Sequence, residues 1–436
     1  MQLRECYDTN MLNQESIQVV NESAFSTQFR KPIYDTYGFA NLPDTILQAF
    51  GIPGTPELKP LPATVLHNLP QQYDKVILLF VDAFGWRFFE KYKNEYPVLQ
   101  HLLQNGVISK LTSQFPSTTA AHVTTINTGL PVGEHGVYEW NYYEPTLDAV
   151  IQPLFFSYAG EKQRETLAQI NADHSILFPT NTLHQKLAGN GIQSTVYSPE
   201  EFGDSAYTNM VMNGSQVKPY KTLTEGFINL TTQVSQSEKG YFYFYYGDID
   251  KMGHTYGPES SQFAAQISTF LHALETYLIG SLEGKTNKTL LLMTADHGQV
   301  YAAPEKAIYL NQLFPEIIPL LQTTATGNPI IPAGSGRDFF LHVQSDHLQQ
   351  VKALLTEKLQ GKAEVYETTQ LIEQGFFGPL PVSEKFLSRV GNLVVLPYKN
   401  YLVWWFEEGV FKQKHIGHHG GLTPEEIETI LYAYAL

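Results

Sequence analysis

Three short apolar runs, each breaking off on acidic or imidazole side chains, constrain this chain more than any other feature. Residues 75–82 read KVILLFVD, residues 241–246 run into Gly247-Asp248-Ile249-Asp250, and residues 289–293 lead into Thr294-Ala295-Asp296-His297-Gly298. A continuous apolar run without alternation is the pattern of a strand buried on both faces, which requires a parallel sheet covered by helices. Around these runs, residues 84–105 are helix-like and 107–114 strand-like. Residues 119–128 predict a helix capped by Ser117 or Thr118. Further on, Phe263, Ile267, Phe270, Leu274 and Tyr277 recur at three- and four-residue spacing, a stripe that faces a core. The alternation is that of an α/β fold. Ligands of such sheets bind beyond the C-terminal ends of the strands, so three strands delivering Asp and His to one rim predict one shared site.

Residues 1–72, with Gly51-Ile-Pro-Gly-Thr-Pro, Pro60 and Pro62, read as a wrapping arm, and residues 73–436 as the domain proper. Regular alternation lapses over 138–237, predicting an inserted cap. It lapses again over 301–408, where strand-like 337–343, helix-like 351–359 and strand-like 392–397 predict a small α+β subdomain. With 436 residues, 43% hydrophobic and 26 each of Tyr and Phe, the chain has ample material for a large core. A formal net charge of −15 argues against long nucleic acids and anionic membranes as partners, since both are bound through Lys and Arg. A small anionic substrate remains compatible where bound metal ions supply positive charge locally. The single cysteine, Cys6, excludes an internal disulfide and a thiolate metal cluster. A polar beginning and the lack of a bilayer-length apolar run predict a cytoplasmic protein.

Singly, the polar motifs have ordinary readings. Asp82 after a strand can be a helix cap, Asp296-His297 is a common dipeptide, and His415, His418 and His419 in HIGHHGG can be surface residues. Asp250 and His254 lie one helical turn apart, close enough to share a cation. Their order is what carries weight: Asp at a strand end, Ser/Thr at a helix start, D-x-x-G-H, D-H-G, then H-G-G. This series resembles the alkaline phosphatase superfamily. Within it, GDIDKMGHTYGP resembles the Asp-x-x-Gly-His-x-x-Gly-Pro motif of the type I phosphodiesterase/nucleotide pyrophosphatase branch, met at Asp250, Gly253, His254, Gly257 and Pro258.

The resemblance spans Asp82 to Gly421 and implies a three-layer sandwich with a mostly parallel central sheet. It implies two divalent metal ions, zinc with manganese as the alternative, one held by Asp250, His254 and His419 and the other by Asp82, Asp296 and His297. Thr119 would be the nucleophile and would bridge to the second ion; it is preferred to Thr118 by counting back from Thr128-Gly129. His122 stands where the branch usually carries an Asn that donates to a phosphoryl oxygen. His415 and His418 would be outer or solvent-exposed.

The implied reaction is hydrolysis of a phosphodiester or pyrophosphate bond in a small phosphate ester or nucleotide, through a phospho-threonine intermediate. A dication lowers the cost of deprotonating a hydroxyl, and a helix N-terminus favours phosphoryl oxygens. The sulfatase segment Cys-x-Pro-x-Arg is missing. Between Lys110 and Gly136 the only basic side chains are His122 and His135, which favours diesters over monoesters, with Lys251 or Arg337 as candidates to enter the pocket. Trp140, Tyr142, Tyr143, Phe155, Phe156 and Tyr158 are expected chiefly as packing, with stacking on a substrate group as the alternative. The same ligands would serve a phosphomonoesterase, phosphonate hydrolase or phosphomutase, and a catalytically silent binding protein would keep the scaffold.

Overall fold

The computed structural model describes residues 12–55 and 58–436. Cys6 and the polar first residues, on which the localisation expectation rests, lie outside them. A seven-stranded sheet forms the centre, in the order Val107–Thr112, Glu428–Ala435, Thr289–Thr294, Lys75–Val81, Gly240–Tyr246, Ser194–Pro199, Ser215–Tyr220. Glu428–Ala435 runs antiparallel to both its neighbours; the other pairings are parallel. Lys75–Val81 is buried throughout, and its alternate residues divide between two apolar clusters. Val76, Leu78 and Phe80 enter one, and Ile77, Leu79 and Val81 the other. Each cluster is a layer on one face, so the fold is a three-layer sandwich of alkaline-phosphatase type.

Strand register sets the place of the polar residues. Val81 pairs with Tyr246 and Phe80 with Thr294, so the three apolar strands end level and release Asp82, Asp250 and Asp296 at one rim. The arm residues belong to the same body. Phe39 packs edge-on against Phe80, and Leu42 and Ile46 are buried in the main core.

Several expected elements take a different form. Residues 84–105 are two helices, Trp86–Tyr92 and Pro97–Asn105, because a proline at 97 disfavours a helical conformation for Tyr96. Tyr277 is not on the buried stripe but 38% exposed. The helix Ser261–Ala273 passes into a π-helical turn at Leu274–Ile279, and its wider turn rotates Tyr277 outward. The segment 138–237 is only partly an insertion. Tyr142–Glu144, Ala149–Gln152 and Ser157–Tyr158 make a small separate sheet, but Ser194–Pro199 and Ser215–Tyr220 join the central one. Ser215–Tyr220 is the partly exposed edge strand and Ser194–Pro199 is buried between two neighbours, but the polar residues of both hid them from an apolar-run criterion.

The later excursion has its own sheet, ordered Ala333–Ser335, Asp338–Leu341, Leu393–Pro397, Ala363–Glu367, with helix Leu348–Lys358 against it around a separate apolar cluster. It is fastened to the main body by a fully buried ion pair. Arg337 donates from Nε and Nη2 to the two oxygens of Glu426 at 2.9 and 2.8 Å. Arg337 is therefore a structural clamp and does not enter the pocket. Beside it, Glu139 and Asp338 are buried near one another beneath Gly420. Burial pushes Glu139 up to about 8, and burial followed by repulsion from Glu139 pushes Asp338 well above the carboxylate range, so the pair retains a proton.

A carboxyl with a raised folded-state pKa stabilises the fold fully below its unfolded value, near 4.5 for Glu, and that contribution is lost as pH rises through about 8. Glu139→Gln is accordingly expected to gain stability relative to the unsubstituted protein between pH 5 and 8.5 in chemical denaturation. A pH-independent gap between the two proteins would contradict the shared proton.

Candidate active site

Asp82 and Asp296 follow closely on strands that end level, Asp250 lies in the first turn of the helix Asp248–Tyr256 that follows the third, and each carboxylate has one oxygen engaged by a donor. Asp296 Oδ1 accepts the backbone N–H of Ala83 at 3.1 Å and of His297 at 3.0 Å. Asp82 Oδ2 accepts the Tyr245 hydroxyl at 2.6 Å and the Thr119 hydroxyl at 3.3 Å. Asp250 Oδ1 accepts the Gln299 amide. Asp296 Oδ2 and Asp82 Oδ1 are buried with no hydrogen-bond partner, an arrangement whose desolvation cost calls for positive charge.

Three imidazoles face the same space, and each is oriented alike. Nδ1 of His254, His297 and His419 lies against a backbone carbonyl: Gly417 at 2.8 Å, Gly298 at 3.0 Å and Ser117 at 3.0 Å. With Nδ1–H donating, every Nε2 presents its lone pair inward, which is how ligating histidines are held. His254 Nε2 is 3.2 Å from both His419 Nε2 and Asp250 Oδ2, and His419 Nε2 is 3.7 Å from Asp250 Oδ1. His297 Nε2 is 3.3 Å from Asp296 Oδ2, 3.5 Å from Asp82 Oδ1 and 3.3 Å from Thr119 Oγ1. The His297 and His419 rings stack with centroids 3.6 Å apart. Six side chains from four separate stretches thus converge, and two groups have ligand atoms close enough for one ion: Asp82, Asp296, His297 and Asp250, His297, His419.

The electrostatics arise from burial and crowding. Burial, then repulsion from Asp296, raises Asp82 well above the usual carboxylate range; burial raises Asp296 to about 7. Burial opposes the charged form of Asp250 too, but His254, His419 and Gln299 outweigh it and hold Asp250 down to about 2. Burial lowers His297 and His419 well below the ordinary imidazole value, keeping both neutral. Burial also disfavours a charged His254, yet Asp250 outweighs that and raises it. The protein alone leaves this array short of positive charge, and carboxylate oxygen with imidazole nitrogen is a donor set suited to zinc-type dications.

Thr119, and not the buried Thr118, opens the helix Thr119–Thr128 toward this array. The helix is unusually polar for a buried one, and its side chains anchor it from behind. Gln114 Nε2 donates to Thr125 Oγ1 at 2.8 Å, Thr124 Oγ1 meets the Tyr207 hydroxyl at 2.6 Å, and Asn127 meets His184 at 2.9 Å.

His122 belongs to this anchoring and not to the site. Its Nε2 accepts the backbone N–H of Gln114 at 2.8 Å, its Nδ1 lies 2.7 Å from the Thr118 carbonyl, and its ring packs edge-on against Phe39. It is fully buried, and burial lowers it to about 4. Both nitrogens are engaged, so the expected bond to a phosphoryl oxygen has no donor.

A cavity of about 350 Å³ opens from Asp82, Thr119, Asp250 and His254 toward the cap. Of the aromatics named from sequence, Trp140 and Phe155 line it, whereas Tyr142 and Phe156 are fully buried in the core. Phe202, Tyr207 and Tyr245 line it as well. His415 stands at its rim, and His418 is buried with Nε2 2.8 Å from the His415 carbonyl, facing away. Among the described residues, the cationic side chains lining the cavity are Lys251, as anticipated, and Arg164, which was not. The Arg164 guanidinium lies 4.3 Å from the Phe155 ring centroid and 5.0 Å from that of Phe202, and donates to the Glu201 carbonyl at 2.8 Å. Tyr245, Gln299 and Arg164 carried no motif.

Sheet, helix N-terminus and array together define the alkaline-phosphatase-like class of α/β proteins. Residues 76–422 match the family model for type I phosphodiesterase/nucleotide pyrophosphatase, and the chain belongs to that family. It is 20% identical over 259 residues to rat (Rattus norvegicus) ectonucleotide pyrophosphatase/phosphodiesterase family member 3, covering 57% of this chain and 28% of that protein. It is 21% identical over 364 residues to bis(5'-adenosyl)-triphosphatase ENPP4 of Pongo abelii, covering 75% and 74%. The matched region thus spans about a quarter of the length of some curated relatives. Murine ectonucleotide pyrophosphatase/phosphodiesterase 5, solved as an inactive threonine-to-alanine variant in complex with AMP, shares the fold with a TM-score of 0.62 at 18% identity, covering 83% of this chain and 88% of that one. No helix among the described residues is long and apolar enough to cross a membrane.

The placement of His122 has a measurable consequence. His122→Ala leaves the Gln114 N–H buried without an acceptor and is expected to lower the unfolding free energy by about 1–3 kcal/mol. Because the ring stays neutral above about pH 5, the pH profile of any turnover should not change in shape. Loss of turnover at unchanged stability would restore His122 to a direct role.

Proposed function

We propose that this protein hydrolyses phosphodiester or pyrophosphate bonds of small phosphate esters, nucleotides included, using two divalent cations and a Thr119 nucleophile. The observation that carries the reading is the inward convergence of three Nε2 lone pairs and unpartnered carboxylate oxygens around the Thr119 hydroxyl. Family membership supports the reaction class. The names of its relatives, one of them a bis(5'-adenosyl)-triphosphatase and another solved with AMP, support a nucleotide-like substrate.

Asp82, Asp296 and His297 would hold one cation, and Asp250, His254 and His419 the other. The residues fit these ions because all six donors are carboxylate oxygen or imidazole nitrogen and are already oriented by hydrogen bonds at their other ends. Bound dications, zinc or manganese, would supply Lewis acidity, lowering the cost of Thr119 deprotonation and offsetting charge on the phosphoryl group.

The chain's own contribution is positioning. Thr119 Oγ1 directs its proton at Asp82 Oδ2, which the Tyr245 hydroxyl holds in place. The first-turn N–H groups of helix Thr119–Thr128 lack intrahelical acceptors and suit phosphoryl oxygens. Thr119 Oγ1 attacks phosphorus as the bond to the leaving oxygen breaks, giving a phospho-threonine. Water then attacks the same phosphorus, and Thr119 is released. Each displacement inverts phosphorus, so the net outcome is retention. The cavity beyond, walled by Trp140, Phe155, Phe202 and Tyr207, accommodates an organic ester group. Membership of the type I phosphodiesterase/nucleotide pyrophosphatase family favours diesters over monoesters.

Thr119→Ala is expected to lower turnover of a bis-aryl phosphate by about a thousandfold or more. Acid-quenched wild-type protein should carry a substrate-derived phosphoryl adduct on the peptide containing Thr119, absent from the variant. Undiminished turnover in the variant would refute the nucleophile. Chelation should abolish wild-type turnover and zinc or manganese restore it; activity unaffected by thorough chelation would refute the cations. A mono-aryl phosphate cleaved faster than the bis-aryl ester would overturn the diester preference.

A further inference from the structure

Gln299 directly follows Asp296-His297-Gly298, but its side chain turns away from those residues and reaches the other half of the site. It is 4% exposed. Its Nε2 donates to Asp250 Oδ1 and, at 3.1 Å, to the Asp250 backbone carbonyl. Each of the other two carboxylates has one oxygen fixed by donors, backbone N–H groups for Asp296 and two hydroxyls for Asp82. For Asp250 that neutral donor is Gln299.

The surrounding backbone is shaped to admit this amide. A Cβ at position 253 would collide with Gln299 Oε1, and one at 417 would fall 2.6 Å from the same oxygen. Gly253 lies between Asp250 and His254, and Gly417 lies two residues before His419. Gly417 O also accepts from His254 Nδ1, and Ile416 N donates to the His254 carbonyl at 2.8 Å. The Gln299 side chain therefore fills the junction where the segments bearing Asp250, His254 and His419 meet, and glycine at 253 and 417 keeps that junction open. The space is tight enough that Gln299 Oε1 itself has no hydrogen-bond partner.

We propose that Gln299 is a positioning residue that fixes the Asp250 carboxylate for one of the two cations, an inference that rests on the two-cation reading above. An amide is suited to this task. It engages Oδ1 without adding charge or competing as a strong ligand, and leaves Oδ2 directed at the His254 side of the site. Removing a partner that orients a metal ligand typically costs about 10–100-fold in affinity. Gln299 bonds to one carboxylate of the six donors, so the loss should fall on one ion.

The test is zinc binding to the purified full chain, by competition with a chromophoric chelator, in wild type and Gln299→Met, which keeps length and apolar volume but removes the donor. Wild type is expected to bind two ions. The variant is expected to bind one with unchanged affinity and the other about 10–100-fold more weakly, with turnover recovering as zinc is raised and KM for the ester little changed. Should the methionine variant not fold, Gln299→Asn, whose amide is one methylene short of Asp250, is expected to show the same selective loss. Two ions bound with wild-type affinity by a folded variant would overturn the proposal. So would equal weakening of both ions together with a lower melting temperature of the metal-free protein, because that marks a merely structural role. A wild type that binds no zinc would instead sink the two-cation reading itself.

Discussion

Burying several carboxylates side by side is the constraint around which this molecule is organised. Asp82 and Asp296 are both nearly inaccessible, both have a free oxygen, and both are driven toward protonation by burial, Asp82 further by the charge of Asp296 and Asp296 by that of Asp250. Adjacent strands in register deliver them, so the fold cannot separate them without giving up sheet pairing. Such an arrangement is costly when only protein groups face it. Divalent cations invert the sign of the problem, because each charge that repels its neighbour becomes a ligand. On this view the site is an incomplete electrostatic assembly that the proposed cations complete.

Much of the surrounding structure holds donors still. The three imidazoles are fixed by carbonyls from three different segments, and the loop carrying His419 is fixed in turn by Glu426, which accepts from Gly421 N and Thr423 Oγ1 while paired with Arg337. The inserted subdomain thereby acts on the site from a distance. Its sheet supplies Arg337 and Asp338, which brace the Gly420-Gly421 turn from below. On the opposite side, the polar anchoring of helix Thr119–Thr128 fixes the height of the Thr119 hydroxyl against Asp82. Positional precision of this kind is what phosphoryl transfer asks of a protein that supplies little covalent chemistry of its own.

The parts of this arrangement that could be read from residues alone are those written in strong local patterns. The apolar runs before Asp82, Gly247 and Ala295 announced buried parallel strands, since a short run without helical periodicity that breaks off at a polar turn suits a strand covered on both faces. The ligand-type residues just beyond them are brought together by that sheet. The remaining features depend on three-dimensional neighbours. The strands Ser194–Pro199 and Ser215–Tyr220 are too polar to signal burial. Tyr277 moved outward because a π turn changed the helical phase. His122 occupied a suggestive position in the sequence, but its orientation is set by Gln114 and Phe39, which no spacing rule reveals. Tyr245, Gln299 and Arg164 matter through contacts with Asp82, Asp250, Phe155 and Phe202, and nothing in their local sequence marks those contacts.

The most direct measurement is the location of bound ions by anomalous diffraction from crystals grown with zinc. Two peaks are expected a few ångströms apart, one among Asp82, Asp296 and His297 and the other among Asp250, His254 and His419, with the Thr119 hydroxyl adjoining the first. Peaks confined to surface histidines, or a site that stays without an ion at saturating zinc while its carboxylates remain protonated, would contradict the two-cation account.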